Sequence, residues 1–274
     1  MNSENGEIIN VWDKVASNFG KVGPKYWDCF GERLVELSSI KQGAKVLDIG
    51  TGRGASIFPA IDKVGLDGHI IGIDSSEAMV RETHKDILSR NIINAEVKYM
   101  NAVKLNFDDS YFDNVICGFG FGYLLLSESK LNDIRRILKN NGQVAFSIWG
   151  QQEDQKWLTE IVNRYLQIES KKNEENSEIP KFDTVDDVTK ILNDAGLHNI
   201  KVHEENSFVV YKNKEEWWQE MCSNAVRNIF DQIEALGCIP FKEFKDEVFK
   251  GLEKYHKEAG ICFNMPVIYA LGEK

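Results

Sequence analysis

The chain has 274 residues, a formal net charge of −10, 28% charged residues and 42% hydrophobic ones. That acidic balance argues against nucleic acid as a partner, because phosphate-backbone binders need a basic surface, and no apolar run approaches the roughly 20 residues that cross a bilayer. The length suits a single α/β unit with insertions, no charged-then-apolar leader opens the chain, and a cytoplasmic protein without stable membrane anchoring is expected.

In chain order, residues 1–43 are dense in aromatics (Trp12, Phe19, Tyr26, Trp27, Phe30), and their helical spacing predicts two helices broken near Gly20 to Pro24. Lys45 to Gly54, KVLDIGTGRG, comes next. Val46, Leu47 and Ile49 read as a strand buried on both faces, since apolar residues run there without polar alternation. Gly50, Gly52 and Gly54 then let the backbone turn tightly and approach a ligand, and Ala55 to Val64 can follow as a helix. The dinucleotide fingerprint is GxGxxG; here the third glycine is one place early. A second strand, His69 to Asp74, ends in a carboxylate placed to accept ribose hydroxyls, at the carboxyl edge where such sheets bind ligands. Ser75 and Ser76 precede Glu77 and a helix through Leu88, with Met79 one turn in. Ala95 to Met100 is the third strand, followed by Asn101 and Ala102. Phe112 to Gly118 is the fourth, followed by the glycine-rich GFGFG. Ser127 to Leu138 reads as a helix stopped at Asn140, Asn141 and Gly142, and Gly142 to Trp149 as the fifth strand. This alternation specifies an α/β fold with a doubly wound parallel sheet.

Four of these stretches together, KVLDIGTGRG, IIGIDSSEAM (Ile70 to Met79), MNAVKLNF (Met100 to Phe107) and FDNVICGFGF (Phe112 to Phe121), resemble the class I S-adenosylmethionine-dependent methyltransferases, in particular the branch acting on ubiquinone, menaquinone and natural products. The resemblance runs from about Lys45 to Trp149. It implies a Rossmann-like, mostly parallel seven-stranded sheet whose last strand is antiparallel, with S-adenosyl-L-methionine as cofactor and a small organic acceptor as partner. It further implies donor contacts at Asp48, Gly50, Thr51, Gly52 and Gly54, and at Asp74, Ser75 and Met79. Asn101 stands where an aspartate usually bonds the adenine amine, beside Ala102, and main-chain carbonyls near Gly118 and Phe119 would receive the donor's ammonium. WDKVASNF (Trp12 to Phe19) resembles an N-terminal helix that folds over the donor in related enzymes; Phe19 replaces the usual tyrosine, and Tyr26 follows as a further donor or acceptor contact.

Beyond Trp149, one helix (Trp157 to Leu166) precedes a polar loop, ESKKNEENSE. Thr184 to Ala195 is a helix closed by Gly196, Lys201 to Tyr211 is extended, Lys214 to Leu236 and Phe241 to His256 are helical, and PVIYAL (Pro266 to Leu271) returns to the sheet. The expected organisation is an N-terminal helical lid (1–43), a cofactor-binding core (44–150), and a segment 151–274 that completes the sheet around an inserted helical cap (151–183 and 212–264). Acceptor candidates are Tyr26, Tyr123, Trp149, Trp217, Trp218 and Arg227, the EWW segment with Arg227 resembling a cap element of natural-product methyltransferases. His256 is the candidate base, and oxygen is favoured over nitrogen or carbon as the methylated atom. The alternatives are a nucleotide-dependent oxidoreductase, against which the early third glycine counts, and a non-catalytic cofactor-binding scaffold or sensor. Five scattered cysteines without a CxxC pair or a histidine at ligand spacing predict neither a metal site nor a disulfide framework.

Overall fold

The computed structural model describes residues 11–124, 128–152, 156–168 and 182–274, with only the backbone described between 123 and 130. The side chain of Tyr123 and the polar ESKKNEENSE loop therefore lie outside the described residues. In chain order the strands are β1 (Lys45–Ile49), β2 (His69–Asp74), β3 (Ala95–Tyr99), β4 (Phe112–Gly118), β5 (Leu138–Trp149), β6 (His198–Glu205), β7 (Phe208–Tyr211), β8 (His256–Lys257), β9 (Gly260–Asn264) and β10 (Val267–Glu273). They form a seven-stranded sheet in the order β3-β2-β1-β4-β5-β10-β6 and a three-stranded sheet in the order β7-β9-β8. The described residues fall into two compact units, with boundaries inside the expected 1–43 and 151–274 segments. A sheet unit holds 26–124, 128–150, 182–205 and 267–274; a second unit holds 11–25, 151–152, 156–168 and 206–266.

In the sheet unit, β1 pairs in parallel with β2 on one side and β4 on the other. The chain winds outward from β1 to β3 and then crosses back to β4, so the strand order reverses between β1 and β4, the crevice where open α/β sheets take ligands. The central strands β1, β2, β4 and β5 are buried on both faces because helices cover both; Leu47, Ile73, Val115 and Phe146 are all buried, and Phe121 stacks on Phe146 with ring centroids 3.6 Å apart. β10 is antiparallel to both β5 and β6, as the resemblance implies. The helix Tyr26–Leu37 packs on the turn after β1 so closely that a Cβ on Gly31 would stand 2.2 Å from the carbonyl oxygen of Ala55. Any side chain at position 31 would lift that helix off the turn.

Three expectations are corrected here. The helix before β5 ends at Ile137, and the strand begins at Leu138 rather than Gly142. Two partners draw residues 138–142 into the sheet: Leu138 pairs with Phe112 of β4, and Asn141, at φ +63°, donates its N–H to the Lys274 carbonyl while Lys274 donates back to Gly142. The extended run to Tyr211 is two strands in two different sheets, β6 and β7. The long helix from Lys214 breaks into Lys214–Met221 and Arg227–Glu234. Short polar side chains cause that break by bonding the backbone locally: Ser223 Oγ donates to the Glu220 carbonyl, and Asn224 Oδ1 accepts from the Val226 N–H.

The second unit is built on aromatics. Trp217 is fully buried, and Trp218 stacks on Phe230 with centroids 4.5 Å apart. Phe244, from the helix Cys238–Leu252, packs on both Trp218 and Phe230. That helix starts before the expected Phe241 because Pro240 sits in its first turn, where a missing N–H costs nothing. No helix among the described residues is long and apolar enough to cross a membrane.

Candidate active site

The carboxyl ends of β1, β2, β4 and β5 carry a turn that is organised by its own backbone. Gly50, Gly52 and Gly54 have φ of +68°, +50° and +90°, a region that side chains disfavour. The N–H groups of Gly50 and Thr51 both bond the Ile73 carbonyl, at 2.8 and 3.0 Å, which fastens the turn to the end of β2. Asp74 completes the fastening: Oδ2 accepts from the Gly52 N–H and Oδ1 from the Ser76 N–H, each at 2.9 Å. These two backbone donors fix the orientation of the carboxylate. Thr83 adds a bond from its hydroxyl to the Gly52 carbonyl at 2.6 Å.

Asp48, one residue from the end of β1, is fully buried. Thr51 Oγ1 donates to its Oδ2 at 2.7 Å, while Oδ1 has no hydrogen-bond partner among the described residues. Thr51 reaches that position because Gly72 beside it has no Cβ; one would stand 2.9 Å from Thr51 Oγ1. Burial pushes the Asp48 pKa up to about 7, offset in part by the hydroxyls of Thr51 and, more weakly, Ser56, and reinforced by the charge of Asp74. Ser147 on β5 is also buried and its Oγ also lacks a partner among the described residues. A buried polar atom without a partner is costly. Two at one sheet edge suit a ligand that brings a cationic hydrogen-bond donor.

The remaining sequence candidates divide clearly. Ser76, not Ser75, caps the helix Glu77–Ser89, its Oγ accepting from the Met79 N–H at 3.1 Å; Ser75 is half-buried and the Met79 side chain buried. Asn101 is exposed and turns its Oδ1 onto the Val103 N–H at 2.9 Å, with Ala102 half-buried beside it. Phe119, between Gly118 and Gly120, has φ +57° and donates its N–H to the Ser147 carbonyl at 2.9 Å. Its ring lies 4.3 Å from Trp149, which Tyr26 approaches edge-on at 6.4 Å. Cys117 is buried in β4 and burial pushes its thiol well above the usual range, so it is a core residue rather than a nucleophile.

Phe19, Trp217, Trp218, Arg227 and His256 belong to the second unit. Phe19 packs edge-on against Trp12 at 5.4 Å. Arg227 is held by Asp231 at 2.5 Å and Glu234 at 3.3 Å, beside a cavity of about 480 Å³ that Lys14 also lines. His256 is exposed on the β8–β9 hairpin. Sequence reasoning placed Ser76 at the helix start and Trp27 only among the N-terminal aromatics, and it missed Thr83 and Ser147. Of these, Ser147 left a signal, a lone hydroxyl in the otherwise apolar run VAFSIW.

Comparison with known proteins shows the family and the fold. A family model described as a methyltransferase domain matches residues 40–196. Aklanonic acid methyltransferase DauC of Streptomyces sp. (strain C5) is 33% identical over 141 residues, covering 52% of this chain and 64% of that protein. Nocamycin O-methyltransferase of Saccharothrix syringae is 28% identical over 137 residues, covering 50% of this chain and 49% of the relative. The crystal structure of a SAM-dependent methyltransferase from Aquifex aeolicus shares the fold, with a TM-score of 0.51 and 23% identity over 72% of this chain and 92% of that one. The chain thus spans about half to two thirds of the length of these curated relatives.

Proposed function

Because this chain belongs to the methyltransferase domain family, we propose that it transfers the methyl group of S-adenosylmethionine to an oxygen of a small organic acceptor. When bound, that donor would supply an electrophilic methyl carbon on a sulfonium, open to in-line displacement by the acceptor oxygen with the S–C bond as the one broken and the acceptor's proton passing to water. Positioning of this kind is worth roughly 7 to 11 kcal/mol without a catalytic side chain. We assign no base: an exposed imidazole at His256 offers no water-excluded proton transfer.

The observation that carries the reading is the carboxylate of Asp74, fixed by the Gly52 and Ser76 N–H groups at the mouth of the glycine turn. In that place it receives ribose hydroxyls. Gly50, Gly52 and Gly54 bring bare backbone to the ligand. Asp48, the Ser147 hydroxyl and the carbonyls of Gly118 and Phe119 receive the donor's ammonium, which satisfies the two unpartnered buried atoms. Asn101 and Ala102 flank the adenine, and Met79 is a further candidate contact on the helix after Asp74. The name of one relative, an O-methyltransferase, favours oxygen as the acceptor atom.

Asp74→Ala is the direct test. It removes the ribose acceptor and both backbone ties, so donor affinity should fall by about 1 to 3 kcal/mol, or roughly 5- to 150-fold in Kd. Calorimetric titration of a variant shown by circular dichroism to be folded would measure it, and an unchanged Kd would remove Asp74 from the site.

A further inference from the structure

Phe119 is held in a backbone conformation that its side chain resists. Among the described residues six non-glycine positions have φ between +49° and +63°; three are asparagines, one is serine and one glutamine, and the sixth is Phe119 at +57°. Asparagine enters the left-handed region readily, whereas a bulky residue there is a strained outlier. Glycine stands on either side of it, at Gly118 and Gly120, so a third glycine would meet the backbone requirement without strain. The position therefore keeps a ring that local stability alone would not select.

That ring is the middle of an aromatic wall. Phe119 lies 4.3 Å from Trp149 at an interplanar angle of 37°, and 5.3 Å from Trp27 at 90°. Trp27 and Trp149 are themselves 5.6 Å apart. Buried Phe30 backs the group, 5.7 Å from both Phe119 and Trp149. Trp27, Phe119 and Trp149 each remain partly exposed, a rigid indole–phenyl surface of the kind that stacks flat rings. The wall adjoins the glycine turn: a Cβ on Gly50 would stand 3.8 Å from the Cα of Gly120.

We propose that Trp27, Phe119 and Trp149 form the acceptor-recognition surface of the sheet unit, and that the acceptor they select is a planar aromatic molecule. The proposal rests on the donor reading only for the place of the methyl group; recognition of the flat ring stands on the wall itself. Alizarin, a planar dihydroxyanthraquinone, serves as the probe, with decanoate as a non-planar apolar control, both titrated calorimetrically into the full chain without donor. Wild type should bind alizarin at least tenfold more tightly than decanoate. Phe119→Gly should melt at the wild-type temperature or higher, because the strain is relieved, and should lose at least tenfold in alizarin affinity. Trp27→Ala, which leaves the backbone at position 119 untouched, should also weaken alizarin binding severalfold.

Equal binding of alizarin and decanoate would overturn the proposal, as would undiminished alizarin affinity in both variants. A fall of several degrees in the melting temperature of Phe119→Gly would also overturn it, because the ring would then be ordinary packing. A wild-type chain that binds alizarin as described but gives no heat with S-adenosylmethionine would refute the donor reading and leave the wall standing.

Discussion

Relative to an Asp48→Asn variant, the wild-type protein is expected to lose stability as pH rises from 5 to 8, by about 2 to 3 kcal/mol. Asp48 is fully buried, and its pKa rises from 3.8 to about 7, with burial as the largest cause. A folded-state pKa above the unfolded one means that the native state holds the proton more tightly. The stabilisation is complete below pH 3.8 and is lost as pH rises through about 7. The neutral amide of the variant has no such dependence, so the gap between the two proteins should open in its favour with pH. Urea unfolding at both pH values measures that gap, and a constant gap would show that Asp48 is not the buried proton-holder described. The same carboxylate links to function. A cationic donor bound beside it lowers its pKa, so binding at pH 6 should release up to one proton, read from titrations in two buffers of different ionisation enthalpy.

Trp218→Ala should have an effect of similar size on the second unit, costing about 3 to 5 kcal/mol of stability, the range for deleting a large buried aromatic. The ring is 8% exposed. Besides stacking on Phe230, it meets Phe241 and Phe249 at 5.9 Å and Phe244 at 6.0 Å, and the Lys245 ammonium sits 5.0 Å from its centroid. Trp218→Phe keeps part of that packing and should recover most of the loss. Denaturant unfolding of both variants checks the ranking. If Trp218→Ala kept wild-type stability and lost methylation instead, the indole would be an acceptor contact rather than the centre of an aromatic core.

The parts of the molecule that were readable from its sequence share one property: their structure is set by neighbours in the chain. Val46, Leu47 and Ile49, and Val115 to Cys117, are short apolar stretches ended by glycine, and covered parallel strands are the structures that such stretches satisfy. Asp74 could be placed at a strand end for the same reason. What was not readable depends on partners far along the chain. Residues 138–142 carry helix-stop signals, yet they join the sheet because Leu138 pairs with Phe112 of β4 and Lys274 exchanges backbone hydrogen bonds with Asn141 and Gly142. β9 is too short to show a period, and it forms because β7 and β8 flank it. The aromatic wall joins Trp27 from a helix before the sheet to Phe119 and Trp149 from two strand ends, and no spacing rule brings those positions together. Trp217 and Trp218 read as an acceptor slot or, with slightly more weight, as a hydrophobic seam, because spacing alone does not separate the two; the structure buries both.

The central claim is that the glycine turn and Asp74 hold S-adenosylmethionine, and titration of the full-length chain with that donor in a calorimeter tests it most directly. Saturable heat at one site per chain, weakened in Asp74→Ala, is the predicted result. A folded wild-type protein that shows no saturable heat at any attainable donor concentration would contradict it.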